Sequence, residues 1–213
     1  MKTFIFDLDG TLINSLPDIQ TAANRAFAAL NLPTRNLEEV RKNVGHGLDD
    51  FFRHINLPHI ITEEELSVIK NVYGEYYKNH LADLTTVYDG VIELLRALRK
   101  KGCMLIMASN KTDLYAKIIA DKLFSGLFDD VIGQMDGIPP KPRPELGQYI
   151  LQKHGLSASD CVMVGDSKFD TLFAKNCGFY SIGVRWGFSE PDELENAGTD
   201  KIVDRAEEIL ELI

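Results

Sequence analysis

The chain has 213 residues, 45% of them hydrophobic, and a formal net charge of −9. That length suits one domain with an insert or two small domains, and the apolar content is ample for a packed core. The acidic balance argues against a nucleic-acid partner, and no apolar run approaches the roughly 18 residues that a bilayer-spanning helix requires.

The N-terminal MKTFIFDLDG carries one lysine and a short apolar run broken by Asp7. It is too short for a signal peptide and reads as a first buried strand over Thr3–Leu8. From Ser15 to about Ala82 only helix signals follow. Leu16–Asn31 is amphipathic and stops before Pro33. Leu37–Val44 and Leu48–Ile55 are short, with Gly45-His46-Gly47 between them. Thr62–His80 is long, with Thr62 as N-cap and Glu65 at the capping-box position. So much helix cannot be a single crossover. It reads as a helical unit over residues 15–81, with Asn14 and Ser15 at the hinge. Leu16, Ile19, Ala23 and Phe27 facing Leu66, Ile69 and Tyr73 are enough for a small core of its own. Tyr76 and Tyr77 read as packing.

Strands and helices then alternate. Gly90–Lys101 reads as a helix before a strand over Cys103–Ala108. A helix over Thr112–Leu123 has Thr112 as candidate N-cap and a Leu114, Lys117, Ile118 face. Asp130–Ile132 is the third strand, and Pro144–His154 is a helix that opens on proline and stops at Gly155. Cys161–Val164 is the fourth strand, Ser167–Asn176 a helix, and Tyr180–Val184 the fifth strand. Near-continuous Val, Ile, Phe and Met suits strands covered on both faces. The expected fold is α/β: a Rossmann-like parallel sheet core, residues 1–14 and 82–213, with helices on both faces and the helical insert at 15–81. Cys103, Cys161 and Cys177 are odd in number and widely spaced, so they form neither a disulfide framework nor a thiolate zinc site. A reducing cytoplasm fits.

Ligands of open parallel sheets bind beyond the carboxyl ends of the strands. There the chain places Asp7-Leu8-Asp9-Gly10-Thr11, then Ser109-Asn110-Lys111, then Lys141 after two prolines, then Gly165-Asp166-Ser167 with Asp170 one turn on. Each alone is weak; an Asp-x-Asp pair is common as a turn or helix cap. Four in order, each at a strand end, make a site.

DLDGT, ASNK, KPRP and VGDSKFD together resemble the four motifs of the haloacid dehalogenase-like hydrolase superfamily. SNK with KPRP, and GVRWGF after the fifth strand, are most similar to its phosphoglycolate phosphatases. The resemblance covers essentially the whole chain and makes the helical insert that family's cap. It implies a Mg²⁺-dependent phosphatase acting on small phosphomonoesters. Asp7 would attack phosphorus and form an aspartyl-phosphate, while Asp9 would serve as acid and then base. Two carboxylates and a phosphate repel unless a hard cation intervenes. By resemblance its ligands are an Asp7 oxygen, the Asp9 carbonyl and Asp166, with Asp170 either a ligand or an orienting neighbour. Ser109, Asn110, Lys141 and Gly10 would hold the phosphate. Lys111 would assist them or face solvent.

Gly45, His46, Gly47 and Lys111 are candidate specificity residues, with Arg41 and Arg53 near the glycine loop; the alternative for that loop is a plain helix–helix turn. Trp186 reads as packing rather than substrate contact. The expected substrate is 2-phosphoglycolate. Pyrophosphate, sugar phosphates and a β-phosphoglucomutase-like reaction stand as alternatives, and a catalytically silent binding protein is the alternative from another class. Asp9 disfavours dehalogenation, which needs no such acid. A monomer or a homodimer is expected.

Overall fold

The computed structural model describes residues 2–45 and 47–212. Six parallel strands form the central sheet: β1 (Thr3–Phe6), β4 (Met104–Thr112), β5 (Asp130–Gln134), β6 (Cys161–Gly165), β7 (Tyr180–Val184) and β8 (Lys201–Val203), in the order β5-β4-β1-β6-β7-β8. β1 lies between β4 and β6, in register Phe4↔Leu105 and Phe4↔Val162. β8 has only three residues and no long apolar run, so periodicity alone does not reveal it.

The two-residue alternation of each strand sorts its side chains into two cores. Phe4, Phe6, Leu105, Met107, Val162 and Val164 face one side, with α5 (Val91–Lys100) and α6 (Asp113–Phe124) packed over them. Ile5, Ile106, Ala108 and Met163 face the other, under α7 (Glu145–His154) and α8 (Lys168–Cys177). Gly155 and Gly178 end α7 and α8 in the left-handed conformation.

α6 turns a different face inward from the one expected. Leu114 and Ile118 are exposed, while Ala116, Ile119, Ala120 and Phe124 are buried. The helix carries two apolar stripes, and the one with two alanines lets its backbone approach the sheet. Thr112 ends β4 and makes no side-chain cap bond.

Between β2 (Ile13–Asn14) and β3 (Thr86–Val87) lie α1 (Leu16–Ala29), α2 (Leu37–Arg41), α3 (Leu48–His54) and α4 (Glu63–Tyr77). β2 and β3 pair antiparallel, Ile13↔Val87 and Asn14↔Thr86, so the chain enters and leaves the insert through one two-stranded ribbon. Asn36 with Glu39, and Thr62 with Glu65, form reciprocal capping boxes on α2 and α4. Leu16, Ile19, Ala23, Phe27, Leu66, Ile69 and Tyr73 are buried together. Their core is not separate, however. It runs through Leu12, Tyr77 and Leu81 into the sheet layer, and Tyr77 meets Tyr115 of α6 edge-on at 5.6 Å.

A short helix α9 (Glu193–Ala197) follows β7. Among the described residues no helix is long and apolar enough to cross a membrane.

Candidate active site

β1 delivers the first two carboxylates. Leu8 is fully buried between Asp7 and Asp9, so both acidic side chains leave the chain on the opposite side. The turn behind them is tight: Leu12 N and Ile13 N both donate to Leu8 O, and Gly10 N donates to Ile13 O. Gly10 has φ +88°, and a Cβ there would stand 2.3 Å from Asp166 Oδ2. Only glycine lets the first loop pass that close to the fourth strand end.

Lys141 is the charge centre. Its ammonium donates to Asp170 Oδ1 at 2.6 Å, Asp7 Oδ1 at 2.8 Å and Ala108 O at 2.9 Å, and its side chain is 2% exposed. Burial opposes its charge, but Asp170 and Asp7 outweigh burial and hold its pKa above the usual lysine value. Asp7 is pushed up to about 7 by burial, against the pull of Lys141 and with Asp170 and Asp9 adding to the rise. Burial, then Asp170 and Asp7, push Asp166 well above the ordinary carboxylate range.

Asp166 accepts from Thr11 Oγ1 at 2.9 Å and Phe188 N at 2.7 Å, and its carbonyl accepts from Ser189 Oγ. A Cβ at Gly187 would also strike Asp166. Trp186 Nε1 donates to Thr11 O at 3.0 Å, so the tryptophan ties the β7 loop to the first loop. Thr11 and Phe188 lie in DLDGT and GVRWGF, where the sequence reading gave them no role of their own, and Ser189 it did not name; all three support the site.

Asp7, Asp166 and Asp170 offer carboxylate oxygens within 4.8 Å of one another. Three hard oxygen donors around one lysine, with Asp7 and Asp166 both resisting ionisation, suit a divalent cation such as Mg²⁺. The oxygens of Asp170 are already engaged, Oδ1 by Lys141 and Oδ2 by Ser167 Oγ at 2.7 Å, which favours an orienting role for it. The Asp9 carboxylate turns elsewhere. Ser15 Oγ donates to Oδ1 at 2.5 Å, and Lys111 Nζ lies 3.1 Å from both oxygens.

Ser109 is buried at the end of the straight part of β4, and its Oγ accepts from Lys111 N. Asn110 holds two loops together. Its amide accepts from Lys141 N at 2.8 Å and donates to Lys141 O and to Gly45 O at 2.8 Å, bracing the second and third motif loops against the insert. Lys111 does not face solvent; Tyr77 Oη, from the insert, accepts from it at 2.7 Å.

Gly45 and Gly47 both have positive φ, +108° and +90°, and line the site. His46 lies outside the described residues. Arg41 reaches across to the β7 loop, donating to Phe188 O and to Glu190 at 2.6 Å. Arg53 pairs with Glu63 instead. A cavity of about 430 Å³ lies between insert and sheet, walled by Asp7, Asp9, Lys141 and Asp166 on one side and by Gly45, Leu48 and Phe51 on the other.

A carboxylate rim at the carboxyl ends of a parallel sheet, with a buried lysine at its centre, defines a hydrolase of the haloacid dehalogenase-like type. The family model described as haloacid dehalogenase-like hydrolase matches residues 1–178, and the chain belongs to this family.

It is an enzyme of the phosphoric monoester hydrolase class. A phosphoglycolate phosphatase of Vibrio cholerae is 33% identical over 219 residues, covering 100% of this chain and 97% of the relative. One of Pasteurella multocida is 29% identical, covering 100% and 98%. A haloacid dehalogenase-like family hydrolase of Streptococcus pneumoniae superimposes with a TM-score of 0.89 at 27% identity, covering 100% of this chain and 98% of that one.

Proposed function

We propose that the protein is a Mg²⁺-dependent phosphatase that hydrolyses small phosphomonoesters through Asp7, with 2-phosphoglycolate as substrate. The observation that carries the reading is the bridge of Lys141 between Asp7 and Asp170 beside Asp166: a nucleophile-bearing site with a fixed buried cation. The relatives named as phosphoglycolate phosphatases support the choice of ester.

In this reading Asp7 attacks phosphorus, the bond from phosphorus to the ester oxygen breaks, and Asp9 gives its proton to the leaving alkoxide. Asp9, now a carboxylate, takes a proton from the water that attacks the aspartyl-phosphate, releasing inorganic phosphate and restoring Asp7. Lys141 steadies Asp7 for attack, and Ser109 offers its hydroxyl to a phosphoryl oxygen. Asp7 and Asp166, with the Asp9 carbonyl, would hold the Mg²⁺, and the cation when bound supplies neutralising charge that lets a phosphate dianion enter a carboxylate cluster. The helical insert, residues 15–81, acts as a cap that closes over the rim and excludes water, the β2–β3 ribbon serving as its hinge. Gly45 and Gly47 then face the leaving group. The three cysteines stay as free thiols, in keeping with a cytoplasmic enzyme.

The cavity is roomier than glycolate requires, which favours sugar phosphates as a second reading of the leaving group. A panel of 2-phosphoglycolate, pyrophosphate, hexose phosphates and 4-nitrophenyl phosphate, with and without Mg²⁺, tests both. Magnesium-dependent turnover led by 2-phosphoglycolate is the expected result. Undiminished turnover in excess chelator, or by Asp7→Asn, would sink the mechanism.

A further inference from the structure

The insert touches the Asp9 carboxylate through Lys111. The ammonium of Lys111, 6% exposed, lies 3.1 Å from each Asp9 oxygen and 2.7 Å from Tyr77 Oη. The same ammonium sits 4.9 Å from the centre of the Tyr77 ring. Tyr77 is the last residue of α4 and is itself fixed. It is 1% exposed, stacks on Tyr73 at 5.0 Å and meets Tyr115 edge-on. Burial, with the charges of Asp9 and Asp18 adding to it, raises the phenol well above its usual pKa, so the oxygen that receives the lysine is neutral.

A lysine head on a four-carbon stem has many rotamers and three donors free to rotate. At this position two contacts select one of those rotamers, a carboxylate from the core and a phenol from the insert. Asp9 in turn is held at Oδ1 by Ser15, which lies at the start of the insert. The orientation of Asp9 is thus set by Ser15 at the hinge and by Lys111 of β4, and Lys111 is in turn held by Tyr77 at the end of α4.

We infer that Tyr77 is a positioning residue: its phenolic oxygen seats the Lys111 ammonium against Asp9, so that Asp9 is aligned with the leaving oxygen only while α4 lies over the sheet. The inference rests on the proposed reading of Asp9 as acid and base. Tyr77 touches neither phosphate nor leaving group in this scheme. It acts through Lys111, and it makes the proton-transfer geometry a property of the closed arrangement.

The test separates a proton-transfer defect from general damage. The kcat/KM value reports phosphoryl transfer to Asp7, and an alkyl phosphate needs a proton on its leaving oxygen whereas 4-nitrophenyl phosphate needs little. Tyr77→Phe keeps the ring and removes only the oxygen. It should lower kcat/KM for the best alkyl phosphate of the substrate panel about 10-fold or more, and that for 4-nitrophenyl phosphate by a much smaller factor, with thermal stability nearly unchanged. Lys111→Met should show the same split, and adding Tyr77→Phe to it should cost nothing further, because the phenol then has nothing to hold. Equal losses on both esters, no loss on either, or full additivity in the double variant would overturn the inference. Asp9→Asn on the same two esters stands apart. If Asp9→Asn discriminates between them and Tyr77→Phe does not, only the positioning role fails. If Asp9→Asn does not discriminate, the acid role itself fails, and the inference with it.

Discussion

Replacing Lys141 with methionine is the sharpest test of the electrostatic design. The side chain is 2% exposed and its ammonium makes three contacts between 2.6 and 2.9 Å. Methionine nearly matches its volume, so packing is conserved and the charge is the main loss. Asp170, 3% exposed, would keep only its Ser167 contacts, and Ala108 O would lose the lysine donor. Removing one partner of a buried ion pair costs about 3–5 kcal/mol, because the other charge stays buried and uncompensated. For a chain of this size that corresponds to a fall in Tm of about 6–20 °C. Urea unfolding of the metal-free protein gives the free energy directly. Two further results should follow if charge is the cause. Saturating Mg²⁺ should return part of the loss, since it brings new positive charge to the same carboxylates. Asp170→Asn added to Lys141→Met should also regain stability, since it removes the uncompensated anion. A loss below about 1 kcal/mol, or a double variant less stable than Lys141→Met alone, would refute the argument that these charges are buried and mutually dependent.

Other outcomes follow from single contacts. Gly10→Ala places a Cβ 2.3 Å from Asp166 Oδ2 at φ +88°, and should cost about 3 kcal/mol or more and weaken Mg²⁺ binding, read by calorimetry with the folded fraction checked by circular dichroism. Mg²⁺ at about 100 times its dissociation constant should raise the stability of the wild type by about 2.7 kcal/mol, or about 5–10 °C in Tm, whereas Asp166→Asn should show little of that rise. Asp18 accepts from Leu84 N, Thr85 N and Thr85 Oγ1 across the base of the insert; Asp18→Ala should cost about 2–4 kcal/mol and speed amide exchange at residues 84–85, while Asp18→Asn should cost less. Asp7→Asn should abolish the phosphorylated species that mass spectrometry detects on rapid quenching of the wild type.

How much of this was legible beforehand follows from the range of the interactions. The two-residue alternation in Thr3–Phe6 and Cys161–Gly165, and glycines such as Gly155 and Gly178, act over a few residues, so the parallel sheet and its helices could be read from the chain. The four motifs could be placed on one rim for the same reason, since each sits where a strand stops. β8 escaped because three residues carry too little pattern, and its place is decided by pairing with β7. The inward face of α6 was misjudged because two apolar stripes compete on one helix, and only the sheet beneath it chooses between them. The core of the insert looked independent because periodicity along α1 and α4 describes each helix but not what lies past its end. Tyr77 against Tyr115 joins that core to the sheet layer.

The site divides in the same way. Residue chemistry and strand-end position are local, so the sequence by itself determined that Asp7, Asp9, Lys141 and Asp166 share one rim of the sheet. Which oxygen each proton donor reaches is not local. Lys141 pairs with Asp170 as well as Asp7, Asn110 braces Lys141 and Gly45, and Lys111 joins Asp9 to Tyr77, over sequence separations of 29, 65 and 102 residues among others. Such partners are selected by packing the insert against the sheet, because hydrogen bonds and buried ion pairs are made only at contact distance, and no spacing along the chain encodes that distance.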